Sequence, residues 1–178
     1  CFIPADLQME RGLLGLSAQL YGLCAEHDWG IGDFTSLRLL IDWAKERELD
    51  FVGLNPLHAV SVRGDAGISP YSPVSRLAIN HLYIDLAEAA RMLGAQELQV
   101  KAEQPQFTEL ASKLRNKKTV TYAEIAALKF GFLEELFADF EARHLAQNTA
   151  FAADFAEFVT SRGEELERFA SYCVLHER

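Results

Sequence analysis

The sequence of 178 residues has little of what marks a secreted, membrane-spanning or nucleic-acid-binding protein. Its three cysteines, Cys1, Cys24 and Cys173, are an odd number without paired spacing, which is typical of reduced thiols in a cytoplasmic protein. No apolar run approaches the length of a transmembrane helix. The formal net charge of −9 argues against nucleic acid or an anionic membrane as the main partner, and leaves an uncharged substrate open.

Cofactor signals are also scarce. None of the five histidines lies at metal-ligand spacing from another histidine. Gly30 and Gly32 form a GxG, but Thr35 stands where a dinucleotide fingerprint requires its third glycine. We therefore predict no metal, no nucleotide and no other cofactor, and we interpret the two glycines as shaping the start of a helix.

What the sequence does have is apolar content, 49%, which is enough to bury a core. Glycine and proline are unevenly placed, since nine of the 11 glycines and four of the five prolines lie at or before Gly94. The remainder is therefore predicted to be mostly helical. We divide the chain into residues 1–95, built of βα units, and residues 96–178, a helical subdomain.

The first part has the pattern of a βαβ unit. A lead-in over Cys1–Arg11 precedes a buried strand at about Leu13–Leu20. A helix is predicted from the N-cap Asp33 to about Glu48, since Asp is a favoured cap and an apolar stripe follows it. A second buried strand begins at Phe51 and ends before Pro56, which has no N–H for a ladder.

A long polar loop follows the second strand and contains Gly64 and Gly67. It closes on Ser69–Pro73, where prolines on both sides of Tyr71 restrict the backbone. A tyrosine held in this way loses little entropy on binding, and its face can stack on a ligand ring. On the residues alone, a tyrosine that merely packs a turn is the alternative.

The rest of the chain reads as one extended segment followed by helices. The segment Leu77–Leu86 is predicted to be extended, with a break at Asn80-His81. Capping boxes are predicted at Thr121/Glu124 and at Ser161/Glu164. Phenylalanines recur at helical spacing and are interpreted as core, with a ligand cleft as the alternative. The predicted helices are Ala87–Leu93, Phe107–Leu114, Thr121 to about Ala146, a short one after Asn148-Thr149, and a last one from Ser161.

Four segments together resemble the bacterial 4-alpha-glucanotransferases, also called amylomaltases or disproportionating enzymes. These segments are Leu20–Ala44, Phe51–Val60, Ser69–Arg76 and Leu82–Leu86, and their order and spacing match as well. The stretch Ala142–Ala150 and the RGEELERFASYCVLHE run resemble the family's inserted helical subdomain. Cys24 and His81 depart from the pattern, which has Ser at the first position and Pro or an apolar residue at the second.

The resemblance implies an α/β fold, an incomplete (β/α)8 TIM-type barrel with its first two or three strands, followed by a mostly α-helical subdomain. It implies transfer of α-1,4-glucan segments between maltooligosaccharides by a retaining double displacement, which needs paired carboxylic acids. In the family these acids lie on later strands. No catalytic residue is therefore predicted here, and the chain alone is predicted to be inactive. The alternative is a non-catalytic glucan-binding or helical interaction module.

The resemblance also implies the substrate-binding residues. Tyr71 matches the family tyrosine that stacks under the glucose next to the cleaved bond, and Ser69 matches a neighbouring polar contact. Trp29 either lines the same mouth from the first βα loop or packs in the interior. The predicted partners are an α-1,4-glucan and, through an exposed barrel edge, a second copy of the chain.

Overall fold

Residues 12–61 and 68–177 are described by a computed structural model. The predicted lead-in, Cys1–Arg11, and the loop glycines Gly64 and Gly67 lie outside the described residues. The elements in chain order are β1 (Gly15–Ala18), a 3-10 turn (Leu20–Gly22), α1 (Phe34–Glu46), β2 (Phe51–Leu54), β3 (His58–Ala59), β4 (Ser75–Ile79), a 3-10 turn (His81–Tyr83), α2 (Leu86–Met92), α3 (Gln96–Ala102), α4 (Pro105–Arg115), α5 (Tyr122–Phe140), a π turn (Glu141–Leu145) and α6 (Ala150–Glu177).

The predicted βαβ unit is confirmed. β1 and β2 pair in parallel, with Gly15 opposite Phe51, and α1 connects them. β1 is shorter than the predicted strand because Leu20 already begins a 3-10 turn. Asp33 caps α1 as predicted, since its Oδ1 accepts hydrogen bonds from the backbone N and the Oγ of Ser36, both at 2.8 Å.

The two glycines before α1 are required by close packing. Gly30 has a φ of +90°, and a Cβ there would lie 2.5 Å from Cβ of Leu114. A Cβ on Gly32 would lie 2.0 Å from the carbonyl oxygen of Leu20. This confirms the interpretation that these glycines shape the start of the helix.

A second, antiparallel sheet carries the loop of the predicted tyrosine. β3 pairs with β4, with His58 opposite Ile79 and an irregularity before the next pair. The prediction that the extended segment resumes after Asn80-His81 is wrong. The chain forms a 3-10 turn there, and Asp85 caps α2 by accepting from the backbone N of Glu88 at 3.1 Å.

The helical part follows the prediction in outline, with corrections at its boundaries. Helix α3 was not predicted, and α5 ends earlier than predicted, in the π turn. The prediction of capping boxes at Thr121/Glu124 and at Ser161/Glu164 is wrong. Thr121 makes no side-chain cap bond. The hydroxyl of Ser161 donates to the carbonyl of Phe158, and the backbone departs from helical geometry at Gly163 (φ 51°, ψ −136°).

The π turn ties the end of α5 to the end of α2. The backbone N of Ala146 donates to the carbonyl of Glu141, five residues earlier. Arg143 donates to the carbonyls of Leu93 and Gly94, and Nε2 of His144 lies 3.0 Å from the Leu93 carbonyl oxygen. Two consecutive side chains thus supply hydrogen-bond donors to the C-terminal carbonyls of α2.

Two apolar clusters hold the described residues together. Both clusters contain residues from before and after position 95, so the two predicted units share their cores. The boundary between residues 1–95 and 96–178 stays a prediction. The first cluster contains Trp29, Leu86, Ala90, Ala95, Leu98, Ala102, Ala111, Phe132 and Leu136. The second contains Leu20, Ile31, Leu82, Tyr83, Leu114, Ile125 and Ala126.

The phenylalanine stripes are core in one helix only. Phe132 and Phe140 of α5 are buried, as predicted. Phe155 and Phe158 of α6 remain 37% and 49% exposed, so the core interpretation is wrong for that helix. Among the described residues, none of the helices combines the length and apolar character needed to cross a bilayer.

Candidate functional site

The predicted substrate-binding residues Ser69 and Tyr71 lie together in a tight turn. The backbone N of Ser72 donates to the Ser69 carbonyl at 3.0 Å, and the backbone N of Tyr71 donates to Oγ of Ser69 at 3.3 Å. Pro70 is buried beneath the turn, while the side chain of Tyr71 is exposed. The turn therefore holds the Tyr71 ring outward, and the Ser69 hydroxyl keeps its own proton for a further acceptor.

Backbone hydrogen bonds attach this turn to the antiparallel hairpin that follows β2. The N of Val74 donates to the carbonyl of Ala59, and β3 pairs with β4 below it. The N of Asn80 donates to the carbonyl of Leu57, which lies three residues beyond the end of β2. The Tyr71 turn thus sits on a hairpin that starts at the carboxyl end of a parallel strand.

Trp29 lies in the interior, away from solvent. Only 7% of it is exposed, and its ring contacts those of Phe107 and Phe132, with centroids 5.9 Å and 5.2 Å away. Of the two roles predicted for Trp29, only packing is compatible with this position. We therefore correct the prediction by leaving Trp29 out of the candidate site.

A polar cluster that the sequence analysis missed lies near the start of α1. Ligand atoms of His27, Asp33 and Asp85 lie within 4.8 Å of one another, a separation that a metal ion could bridge. We assign no metal to it, because both aspartates already cap helices. The sequence gives no sign of this cluster, because Asp85 lies more than fifty residues from His27 and Asp33.

Lys129 of α5 supplies a buried positive charge near these carboxylates. Its Nζ donates to the carbonyls of Leu82 and Ile84 at 2.7 and 2.8 Å, and 1% of the residue is exposed. Burial lowers the pKa of Lys129 to about 8, against the raising effect of the carboxylates of Asp33, Asp85 and Asp28. Lys129 thus links α5 to the 3-10 turn after β4.

The side chain of His81 packs against an aromatic ring and makes no hydrogen bond through its Nε2 within the described residues. Its ring lies 4.7 Å from that of Phe130, and its Nε2 is buried with no hydrogen-bond partner in the described part of the chain. Burial, followed by the charge on Lys129, lowers the pKa of His81. An imidazole in this environment is kept neutral.

Asp33 and Asp85 do not have the setting of a catalytic acid, because each caps a helix. Asp33 caps α1, as predicted. Asp85 lies in the segment Leu77–Leu86 that was predicted to be extended, and it caps α2 instead. What the described residues offer at the surface is an aromatic ring on a braced turn, which is suited to stacking against a sugar ring.

Comparison with known proteins gives a consistent result. The family described as 4-alpha-glucanotransferase matches residues 18–178. A 4-alpha-glucanotransferase of Haemophilus influenzae is 34% identical over 165 residues, which are 93% of this chain and 24% of that protein. A 4-alpha-glucanotransferase of Mycobacterium bovis is 33% identical over 182 residues, covering 94% of this chain and 23% of that protein.

The fold is similar to that of a solved enzyme. The crystal structure of amylomaltase from Corynebacterium glutamicum matches with a TM-score of 0.75 and 28% identity, over 93% of this chain and 23% of that one. The chain thus spans about a quarter of the length of the curated relatives that it matches.

Proposed function

Because the chain belongs to the 4-alpha-glucanotransferase family, we propose that it is part of a larger enzyme that transfers α-1,4-glucan segments between maltooligosaccharides. Such an enzyme serves maltodextrin and glycogen metabolism in the cytoplasm, the compartment that the cysteine pattern predicts. The two cited relatives are about four times as long as the matched region, which supports a larger parent enzyme.

In this proposal β1, α1 and β2 are the first units of a (β/α)8 barrel. The parallel pairing of β1 with β2 and the helix between them support this arrangement. Active sites of such barrels are built from the loops at the carboxyl ends of the strands. The hairpin after β2 leaves from that end and carries Ser69 and Tyr71.

The observation that carries the proposal is the setting of Tyr71. Its side chain is 65% exposed on a turn that Pro70 and Pro73 brace from both sides. A ring presented in this way stacks on the glucose beside the cleaved bond at little entropic cost.

The chemistry itself requires acids from the remainder of the parent enzyme. Retaining transfer uses a carboxylate nucleophile and a carboxylic acid about 5 Å apart on either side of the glycosidic bond. Asp33 and Asp85 are helix caps and do not fill these roles. The 178-residue chain therefore supplies part of the substrate cleft and no catalytic acid.

The test is made in the full-length parent enzyme with maltotriose as both donor and acceptor. Tyr71→Ala is expected to lower kcat/KM about ten- to hundredfold through lost stacking in the transition state. Tyr71→Phe keeps the ring and is expected to retain most of the activity. Tyr172→Ala, which removes another exposed tyrosine, is the matched control. An unchanged kcat/KM in Tyr71→Ala would reject the proposed role.

Exposed apolar side chains around the parallel sheet favour a second role in association. Leu14, Ile41, Trp43 and Phe51 are between 43% and 63% exposed. In the described residues β1 and β2 have only each other as partners, so both present an open edge. We propose that this face is covered by the rest of the parent enzyme, or by a second copy of the chain when it is produced alone.

A further inference from the structure

A buried asparagine lies at the base of the hairpin that carries Tyr71. Asn55 directly follows β2, where the chain leaves the parallel pair and enters the hairpin. Only 6% of Asn55 is exposed, so its side-chain amide is withdrawn from solvent. A buried amide needs hydrogen-bond partners within the protein, and both polar atoms of this one have them.

The two polar atoms of the amide bond to different segments of the chain. Oδ1 of Asn55 accepts from the backbone N of Leu20 at 2.7 Å, and Leu20 begins the 3-10 turn that follows β1. Nδ2 donates to the carbonyl oxygen of Pro56 at 2.8 Å. Leu20 is fully buried, so the amide is the partner of a backbone N–H that has no access to water. One side chain thus joins the ends of both parallel strands to the start of the hairpin.

The returning strand of the hairpin is attached close to this amide. The backbone N of Asn80 donates to the carbonyl of Leu57 at 2.9 Å, and β3 pairs with β4 beyond this bond. The N of Val74 then donates to the carbonyl of Ala59 at 2.9 Å. Val74 lies three residues after Tyr71. A shift at the base of the hairpin is therefore passed to the Tyr71 turn through hydrogen-bonded backbone.

We propose that Asn55 is a positioning residue for Tyr71, because its amide fixes the base of the hairpin against the ends of both parallel strands. This inference rests on the proposed role of Tyr71 in glucan binding. The chain from Asn55 to Ala59 spans at most about 13 Å at about 3.3 Å per residue, so a rotation of about 5° at Asn55 moves Ala59 by about 1 Å. A substrate misplaced by about 1 Å can lose up to about a hundredfold in rate.

The experiment is a double-mutant cycle in the full-length parent enzyme with maltotriose. Asn55→Ala removes both hydrogen bonds of the amide and leaves the backbone N of Leu20 without its side-chain partner. We expect Asn55→Ala to lower kcat/KM about three- to tenfold, dividing the loss between kcat and KM in the same proportion as Tyr71→Ala. In a Tyr71→Ala background, Asn55→Ala is expected to change kcat/KM by less than about twofold, because the ring that it positions is gone.

A second variant, Asn55→Asp, serves if Asn55→Ala does not fold. Aspartate keeps the size of the side chain and the acceptor for the backbone N of Leu20. It replaces the donor that faces the Pro56 carbonyl with a second oxygen, so the bond to the start of the hairpin is lost. We expect Asn55→Asp to lower kcat/KM when Tyr71 is present and to have no further effect in the Tyr71→Ala background.

The matched control is Thr149→Val, which removes a hydrogen bond from the helical part and keeps the shape of the side chain. Oγ1 of Thr149 lies 2.9 Å from Nδ1 of His144, a residue that is 9% exposed. This variant also leaves a buried polar atom without its partner. We expect its kcat/KM to stay within about twofold of the parent enzyme. Thermal melts of every variant show whether a loss of activity reflects a loss of folded enzyme, which lowers kcat and leaves KM unchanged.

The outcomes separate the two proposals. If Tyr71→Ala is impaired but the Asn55 substitution costs the same in both backgrounds, or costs nothing in either, the positioning role is wrong and the role of Tyr71 stands. If Tyr71→Ala is fully active, the proposed role of Tyr71 fails and the positioning role fails with it. A loss that occurs when Tyr71 is present and disappears in the Tyr71→Ala background supports both proposals.

Discussion

Replacing Lys129 with methionine tests the most unusual electrostatic feature of the structure, a lysine whose ammonium is buried between two carbonyls. Methionine fills a similar volume but carries no charge and no donor. The carbonyls of Leu82 and Ile84 lose their partner, at a cost of about 1–3 kcal/mol each. This cost is offset by about 3 kcal/mol, since the variant no longer buries an ammonium whose pKa is lowered from 10.5 to about 8.

The size of the effect depends on pH, with a sign that follows from the two pKa values. The pKa of Lys129 in the folded chain, about 8, lies below the unfolded value of 10.5. Between these values the unfolded chain binds more protons, so the free energy of unfolding rises with pH. Between pH 8 and pH 10 this rise amounts to about 2 kcal/mol. Lys129→Met lacks this rise, so the difference in the free energy of unfolding between wild type and variant should grow by about 2 kcal/mol in favour of wild type between pH 8 and pH 10.

Urea unfolding of the 178-residue chain, followed by circular dichroism at constant ionic strength from pH 7 to pH 10, measures this difference. Lys113→Met, which removes an exposed lysine, is the matched control and should follow the wild-type curve. Parallel curves for wild type and Lys129→Met would refute the reasoning. They would mean that the Lys129 ammonium is solvated in the folded chain.

Four further outcomes are expected. Asp33→Ala should lower the free energy of unfolding by about 1–2 kcal/mol in urea through loss of the α1 cap, whereas Asp42→Ala, on an exposed position of the same helix, should change it by less than about 0.5 kcal/mol. The pKa of His81 is lowered in the folded chain, so its contribution to stability is lost as the pH falls below 6.5. His81→Leu should flatten melting temperatures between pH 7 and pH 5, and an unchanged slope would contradict this. The chain alone should release no glucose from maltotriose, and enzymatic release would show that it contains the acids. Sedimentation of the chain alone should show association through the β1–β2 face, against which a clean monomer would count.

The sequence signals that succeeded are local ones. Asp33 before an apolar stripe predicted the start of α1, and Asn55-Pro56 predicted the end of β2. Prolines on both sides of Tyr71 predicted a braced turn, and the exposure of the ring is compatible with the proposed role. Each of these depends on backbone restriction or on a cap within a few residues, which the sequence displays directly.

The features that could not be predicted depend on contacts distant in sequence. Lys129 looks like a solvated helix residue until the carbonyls of Leu82 and Ile84, 47 and 45 residues away, are placed against it. At Thr121 the capping-box pattern was present, but the hydroxyl is buried and has no hydrogen-bond partner within residues 12–61 and 68–177, so tertiary packing overrode the local preference.

The π turn at Glu141–Leu145 limits how the segment between α5 and α6 can vary in length. It contains one residue more than an α-helical turn, and that residue lets Arg143 and His144 reach the same helix end side by side. A one-residue deletion before Arg143 would rotate both side chains by about 100° and detach them together. Related sequences should therefore keep the residue count constant between α5 and Thr149, and should place their insertions and deletions elsewhere.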